Sequence, residues 1–375
     1  MIPFNKPFSI GNEFAYMQQA LELGKISGDG HFTRQCHQLL QQRYGFGKVL
    51  LTTSCTDALE MAALLLDIKP GDEVIVPAYT FVSTANAFAL RGATIKFCDV
   101  TPDTFNIDPE KAAELINART RAIVPVHYAG VSCAMDQILA LAAPNNIAVV
   151  EDAAQAIDSY YKGKPLGGIG TFGTFSFHET KNIIAGEGGA LVINDEAFVN
   201  RAEIIREKGT NRSEFFRGEA NKYEWKDLGS SFLPSDLTAA YLLAQLEETE
   251  KIQQKRIAIW NTYYKELKEL EVAERLRLPI IPSFATNNAN LFYLLCNSQT
   301  ERDNLITYLY NYGIKAVFHY LPLHQSSYFR KQHDGREMPV TEMVSSRIIR
   351  LPLFYSLAET EQTQVIKAVK QFYSN

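Results

Sequence analysis

Between Lys48 and about Ile193 the chain repeats one theme: short β-branched runs, punctuated by Gly, Pro or Asp, alternate with Ala- and Leu-rich stretches of helical period. This alternation constrains the fold more than any other feature, because parallel strands need crossover helices that cover the sheet. "DEVIVPAY", "TIKFCDV", "RAIVPVHY", "IAVVEDAA" and "FGTFSF" read as strands. "TTSCTDALEMAALLLDI", "TFVSTANAFALRG" and "DQILALAAPNN" read as helices with credible starts and stops. The pattern predicts an α/β domain with a mostly parallel sheet. After Pro234 the texture changes, and "SDLTAAYLLAQLEETEKIQQKRIAIWNTYYKELKEL" keeps helical period over about ten turns. A helix of that length suits a bridge, so we expect a large domain over residues 1–250 and a smaller α+β one over 251–375. In the latter "NLFYLLC" and "IKAVFHYLPLH" read as strands, and "ERDNLITYLYNYG" and the C-terminal stretch as helices.

Composition narrows the function classes. A net charge of −5, with both signs interspersed, leaves no basic stripe for a nucleic acid polymer. The five cysteines are scattered without C-x-x-C pairing, which argues against a disulfide framework or a structural zinc and fits a reducing cytoplasm. No apolar run reaches the roughly 20 residues of a membrane span, and the N-terminus lacks the pattern of an export signal.

Four features carry chemistry, each beside a plainer reading. Gly168, Gly170 and Gly173 spell G-x-G-x-x-G, but they run into a period-2 strand, whereas a dinucleotide fingerprint opens a helix. Ser54 and Thr56 put hydroxyls at a helix start, an anion site or a simple cap. Asp152 ends the apolar run "VVEDAAQA"; buried there it needs a cation or a donor, unless it only caps the next helix. Lys181 ends "TFGTFSFHETKN", where crowding would free its amine as a nucleophile, although a lone lysine is ordinarily solvated. Together they meet the needs of pyridoxal phosphate: a phosphate cradle, an anion for the pyridine nitrogen, and a lysine for the aldehyde.

In these residues, and in "SCTDAL", "DEVIVPAYTFVSTANA", "VPVHYAG", "GEGGAL" and "YLPLH", the chain resembles the DegT/DnrJ/EryC1/StrS sugar aminotransferases over essentially its whole length. The resemblance implies a fold-type I pyridoxal phosphate transferase with a seven-stranded sheet. Its substrates would be a nucleotide-linked keto sugar and an amino-acid donor, and its unit a homodimer with shared active sites. It implies that Lys181 holds the cofactor and then acts as acid and base, that Asp152 pairs with the pyridine nitrogen, that Phe81 stacks on the ring and that Gln155 bonds its phenolic oxygen. Thr56, the backbone N–H of Asp57 and Ser176 would bind the phosphate. Ser231 occupies a position where many relatives have an Asn that reaches the neighbouring subunit's phosphate. Arg212 and Arg217 of "NRSEFFRG", with His319, Tyr320 and His324 of "HYLPLH", are candidates for the sugar nucleotide, or a solvated loop and structural histidines. Rival readings are another reaction of the same fold, such as sugar dehydration, and a nicotinamide-dependent oxidoreductase resting on the glycine triplet.

Overall fold

The computed structural model describes residues 1–374. Seven strands form the main sheet: β1 (Lys48–Thr52), β2 (Glu73–Pro77), β3 (Thr94–Cys98), β4 (Thr120–Ile123), β5 (Ala148–Asp152), β6 (Phe172–Ser176) and β7 (Gly189–Ile193). Their order is β1-β7-β6-β5-β4-β2-β3. β7 pairs antiparallel with both β1 and β6, and every other pairing is parallel, so six strands share one direction. Most strand residues are buried, as expected for a sheet covered on both faces. The sheet thus matches the expected α/β architecture.

Two crossover helices position the site. α1 (Cys55–Leu65) follows β1 directly, and Ser54 caps it by accepting the Asp57 N–H. α2 (Val82–Ala89) follows β2, with Phe81 at its extended N-terminal boundary. Both begin at the same end of the sheet, where β5 and β6 deliver Asp152 and, a few residues further on, Lys181.

The long helix is two. α3 (Asp236–Glu247) and α4 (Thr249–Val272) meet at Glu248, whose ψ of 16° leaves the helical range. There the Thr249 hydroxyl takes the Leu246 carbonyl (2.6 Å), the acceptor that an unbroken helix would offer to the next turn. α4 packs on a second, antiparallel sheet, β8 (Leu276–Arg277), β9 (Phe292–Cys296) and β10 (Ile348–Leu351), in that order. Trp260, Tyr263, Phe292 and Phe354 centre an apolar cluster separate from that of the main sheet.

One expected strand is absent. "IKAVFHYLPLH" forms only isolated bridges, Ile2 with Ile314 and Val317 with Arg350. Tyr320 takes a positive φ of 23°, and Pro322 has no N–H for a ladder, so the segment cannot continue a sheet. The stretch after Gly209 also differs from the irregular loop expected of it, since Arg212–Phe216 forms a short helix.

Candidate active site

A cavity of about 580 Å³ opens at that end of the sheet. Its wall includes Thr56, Phe81, Asp152, Gln155, Ser176, Lys181, His319 and Tyr320.

Lys181 is enclosed by protein yet keeps part of its surface open to the cavity, and its Nζ makes no hydrogen bond or ion pair among the described residues. Burial, above all, holds its pKa below the usual lysine value; Cys55 and Asp152 partly offset this, and Arg350 adds to it. Such an amine is easier to deprotonate than a solvated one.

Asp152 is 5 % exposed. Its carboxylate accepts from the Thr84 hydroxyl (2.7 Å) and the Ala154 N–H (3.1 Å). No Lys, Arg or His lies within ion-pair distance among the described residues. The Thr84 oxygen is in turn 2.8 Å from that of Thr80, which fixes the side chain. A rigid buried carboxylate without a cation suits a protonated ring nitrogen entering from the cavity.

The phosphate end is built on α1. The Thr56 hydroxyl donates to Ser83 Oγ (2.7 Å) on the cavity wall. The Asp57 N–H is donated to Ser54 (3.1 Å), while the N–H groups of Cys55 and Thr56, one turn too early for an intrahelical acceptor, remain at the positive end of the helix. The Ser54 cap therefore leaves the N–H groups of Cys55 and Thr56 free for an anion. β7 closes against this turn at Gly189, where an added Cβ would stand 2.3 Å from the Ser54 carbonyl carbon. Only glycine allows so close an approach. Ser176, paired with Gly189 across the ladder, lines the same wall.

Phe81 is 55 % exposed, so it is no core aromatic; its ring faces the cavity 6.2 Å from that of Tyr320. Gln155 accepts the Ala129 N–H (2.8 Å) and donates to the Tyr320 hydroxyl (2.9 Å), bridging sheet and C-terminal segment. His319 is buried, with Nδ1 2.7 Å from the Tyr128 hydroxyl; burial, then the charges of Arg350 and Lys181, push its pKa far down. His319 is therefore neutral. Burial raises the pKa of the Tyr320 phenol, which stays protonated.

The remaining candidates lie off this cavity. His324 bonds Glu342 (3.2 Å). Ser231 is exposed and bridges only to Glu207. Arg212 pairs with Glu207 (3.6 Å) and lies over Phe216, and Arg217 pairs with Glu203 (2.8 Å) and Glu219 (2.9 Å). Wall residues that the sequence reading missed include Phe4, Asn5, Thr84, Asn290 and Arg350. Nothing local marks them, since they come from the N-terminal segment, α2, the bend before β9 and β10.

The glycine triplet has another use. Glu151, fully buried, accepts the N–H groups of Gly167 (2.9 Å), Ile169 (2.7 Å) and Gly170 (2.6 Å), and lies 3.0 Å from His127 Nε2. Amides that would cradle a pyrophosphate are committed to an internal carboxylate, which removes the basis of the nicotinamide reading.

An unbonded lysine, an unpaired buried carboxylate and a helix start on one cavity define a pyridoxal phosphate enzyme of the parallel α/β class. The chain belongs to the DegT/DnrJ/EryC1/StrS aminotransferase family, whose model matches residues 9–370, and it is an aminotransferase that depends on pyridoxal phosphate. Among solved structures it is similar to Spr1654 from Streptococcus pneumoniae, known in pyridoxal and pyridoxamine phosphate forms. In the pyridoxamine form the two share 26 % identity over 100 % of this chain and 99 % of that one, with a TM-score of 0.91. The aminotransferase TlmJ from Streptoalloteichus hindustanus is 28 % identical over 100 % and 99 %, TM-score 0.92. DesV from S. venezuelae, solved with a ketimine intermediate, is 26 % identical over 100 % and 99 %, TM-score 0.90. No helix is long and apolar enough to cross a membrane among the described residues.

Proposed function

We propose that this enzyme transfers the amino group of L-glutamate to dTDP-4-keto-6-deoxy-D-glucose, giving dTDP-4-amino-4,6-dideoxy-D-galactose in the cytoplasm. Such a product would feed surface polysaccharides such as enterobacterial common antigen, O-antigen or lipopolysaccharide. The observation that carries the aminotransfer reading is the joint placement of Lys181, Asp152 and the start of α1 on one cavity. The sugar reading rests on the family, on the sugar aminotransferases among its solved relatives, and on the resemblance of "SFHETKN", "REKGTNRSEFFRG" and "VFHYLPLH" to the transaminase that makes this galacto sugar. The gluco epimer, a 3-amino product or another nucleotide would be other outcomes of the same chemistry.

When bound, pyridoxal phosphate supplies an aldehyde for the donor's amino group and a ring that withdraws electrons from the reacting carbon. Lys181 holds that aldehyde in the resting enzyme. Once released, Nζ takes the proton from the donor α-carbon, and in the second half it returns one to the sugar carbon. Asp152 keeps the ring nitrogen protonated. Phe81 stacks on the ring and Gln155 bonds its phenolic oxygen in place of Tyr320. Thr56, Ser176 and the N–H groups of Cys55 and Thr56 bind phosphate, and the Asp57 N–H joins them by turning from Ser54, to whose side chain it donates. His319 and Tyr320 face the sugar, with His324 behind them. Ser231, Arg212 and Arg217 stand off their own cavity, which suits a homodimer in which each loop completes the partner's site. We take residues 1–250 as the cofactor-binding domain and 251–375 as the small one, a division that the separate apolar clusters support.

The test is incubation of the holoenzyme with glutamate and dTDP-4-keto-6-deoxyglucose, followed by NMR of the product. A 4-amino sugar with an axial amine supports the full reading. An equatorial amine or no amino sugar would overturn it.

A further inference from the structure

Lys181 stands in the turn between β6 and β7, and the next residue holds that turn from the protein side. Asn182 is fully buried. Its amide nitrogen donates to Gln253 Oε1 (2.8 Å) on α4 and to the Asn288 carbonyl (2.7 Å), and its oxygen accepts from Asn290 Nδ2 (3.0 Å). Both of its amide hydrogens are therefore used. The Asn288 amide donates in turn to the carbonyls of Gln155 and Ile157 (2.8 Å each), in the loop that follows Asp152. Buried carboxamides thus join the turn of Lys181 to the loop of Gln155 through the bend at residues 288–290. A satisfied polar network in a low-dielectric interior is stiff, and a broken one leaves its partners desolvated and unpaired.

The bend is costly to build. Ala289 has a φ of 52°, in the left-handed region that a Cβ disfavours. Arg256 on α4 is fully buried and donates to the carbonyls of Ala289 (3.2 Å) and Asn290 (2.8 Å). No carboxylate pairs with it among the described residues, and burial lowers its pKa to about 9. Gly130, at a φ of 78°, has no room for a side chain because Asn288 Oδ1 fills the space. Strain and an unpaired buried charge persist where the surrounding structure over-determines a position. The bend is thus a fixed anchor, and what it anchors beside the cavity is Asn182. We infer that Asn182 is a positioning residue for Lys181: clamped by Gln253 and the bend, it fixes the backbone from which Nζ must reach the reacting carbon, in register with the loop that carries Asp152 and Gln155. This rests on reading Lys181 as the cofactor lysine. No bond is made or broken at Asn182.

Holo wild type, Asn182→Ala and Gln253→Met are reduced with borohydride and mapped. Fresh samples are given glutamate alone, with hydrogen or deuterium on its α-carbon, and the loss of cofactor visible absorbance is followed. Cofactor affinity is titrated on each apoenzyme, and amide hydrogen exchange is read for the peptide spanning residues 177–188. A small misplacement of a reacting group can cost about a hundredfold, so Asn182→Ala should lose roughly ten- to a hundredfold in the saturating rate. Its deuterium effect should be at least as large as that of the wild type, because proton transfer is the step slowed, and the peptide should exchange faster. Glutamate half-saturation should move far less than the rate. Gln253→Met, which leaves the Asn288 carbonyl in place, should lose less in the same sense, and the double variant should be no worse than Asn182→Ala, as members of one unit. A merely structural role would lower cofactor affinity and melting temperature yet leave the saturating rate of the loaded enzyme unchanged, and that result overturns the inference. So does an unchanged exchange pattern. If Asn182→Ala does not fold, Gln253→Met decides by the same criteria. A wild type linked at another lysine overturns the reading of Lys181 together with this inference, whereas a link on Lys181 with an unchanged rate in the variants overturns this inference alone.

Discussion

Asp152 was legible in the sequence because it ends an apolar strand, and Lys181 because it closely follows one: Lys181 lies in the turn five residues beyond β6, not at the strand end its sequence suggested. Lys181→Ala should lower turnover by at least about two to four orders of magnitude, the usual worth of a positioned acid–base. It should also abolish the reducible covalent link to the cofactor, and a mutant that kept that link would refute the assignment. Asp152→Asn should stay folded but lose most activity, because an amide cannot stabilise a protonated ring nitrogen as a carboxylate does; near-normal turnover would exclude it. The pH dependence has a definite sign. The amine of Lys181 in the apoenzyme has a folded pKa below its ordinary value of 10.5, so between the two values the unfolded chain binds more protons and stability rises with pH. Below the folded pKa the full cost of burying the charge remains. Apo Lys181→Met should therefore be more stable than the apo wild type at neutral pH, with the gap closing as pH climbs toward 10.5. Melting curves across pH check this, and a gap that widened with pH would contradict it. Arg350 was not legible: "RIIRLPLF" reads as an edge of apolar strand, and only the fold brings it to Lys181.

At the scale of elements, periodicity served where each strand and helix is self-contained, and failed where one side chain redirects the backbone. The Thr249 hydroxyl ends a helix whose apolar period runs on, and Tyr320 with Pro322 prevents a strand whose composition is right. The capped helix start proposed to hold phosphate was visible as "TTSCTDAL", but its close packing against β7 was not, because Gly189 lies far along the chain. Gly189→Ala forces a methyl into the Ser54 carbonyl at 2.3 Å. Overpacking of this kind costs about 1–3 kcal/mol, and here it must push the phosphate turn. We predict cofactor affinity lowered roughly tenfold or more, on the same scale, measured by titrating the apoenzyme; unaltered affinity would mean that the turn is not the cradle.

For the whole molecule, the question is whether one chain completes its own site. The segment from Gly209 to Phe232 carries exposed Phe216, Tyr223, Trp225 and Leu228, a larger apolar display than a solvated loop needs. If it completes the partner's cavity, a Lys181→Ala subunit mixed with an Arg212→Ala/Arg217→Ala subunit should regain activity, since one site of each mixed dimer carries neither lesion. Proven subunit exchange without recovery would rule out the shared site. The central claim, that this cavity is a cofactor site organised around one lysine, has a more direct test. The yellow holoenzyme is reduced with borohydride, digested, and its peptides are mapped by mass spectrometry. The account predicts a single phosphopyridoxyl group, on Lys181. Its appearance on another lysine, or on none, would contradict the account.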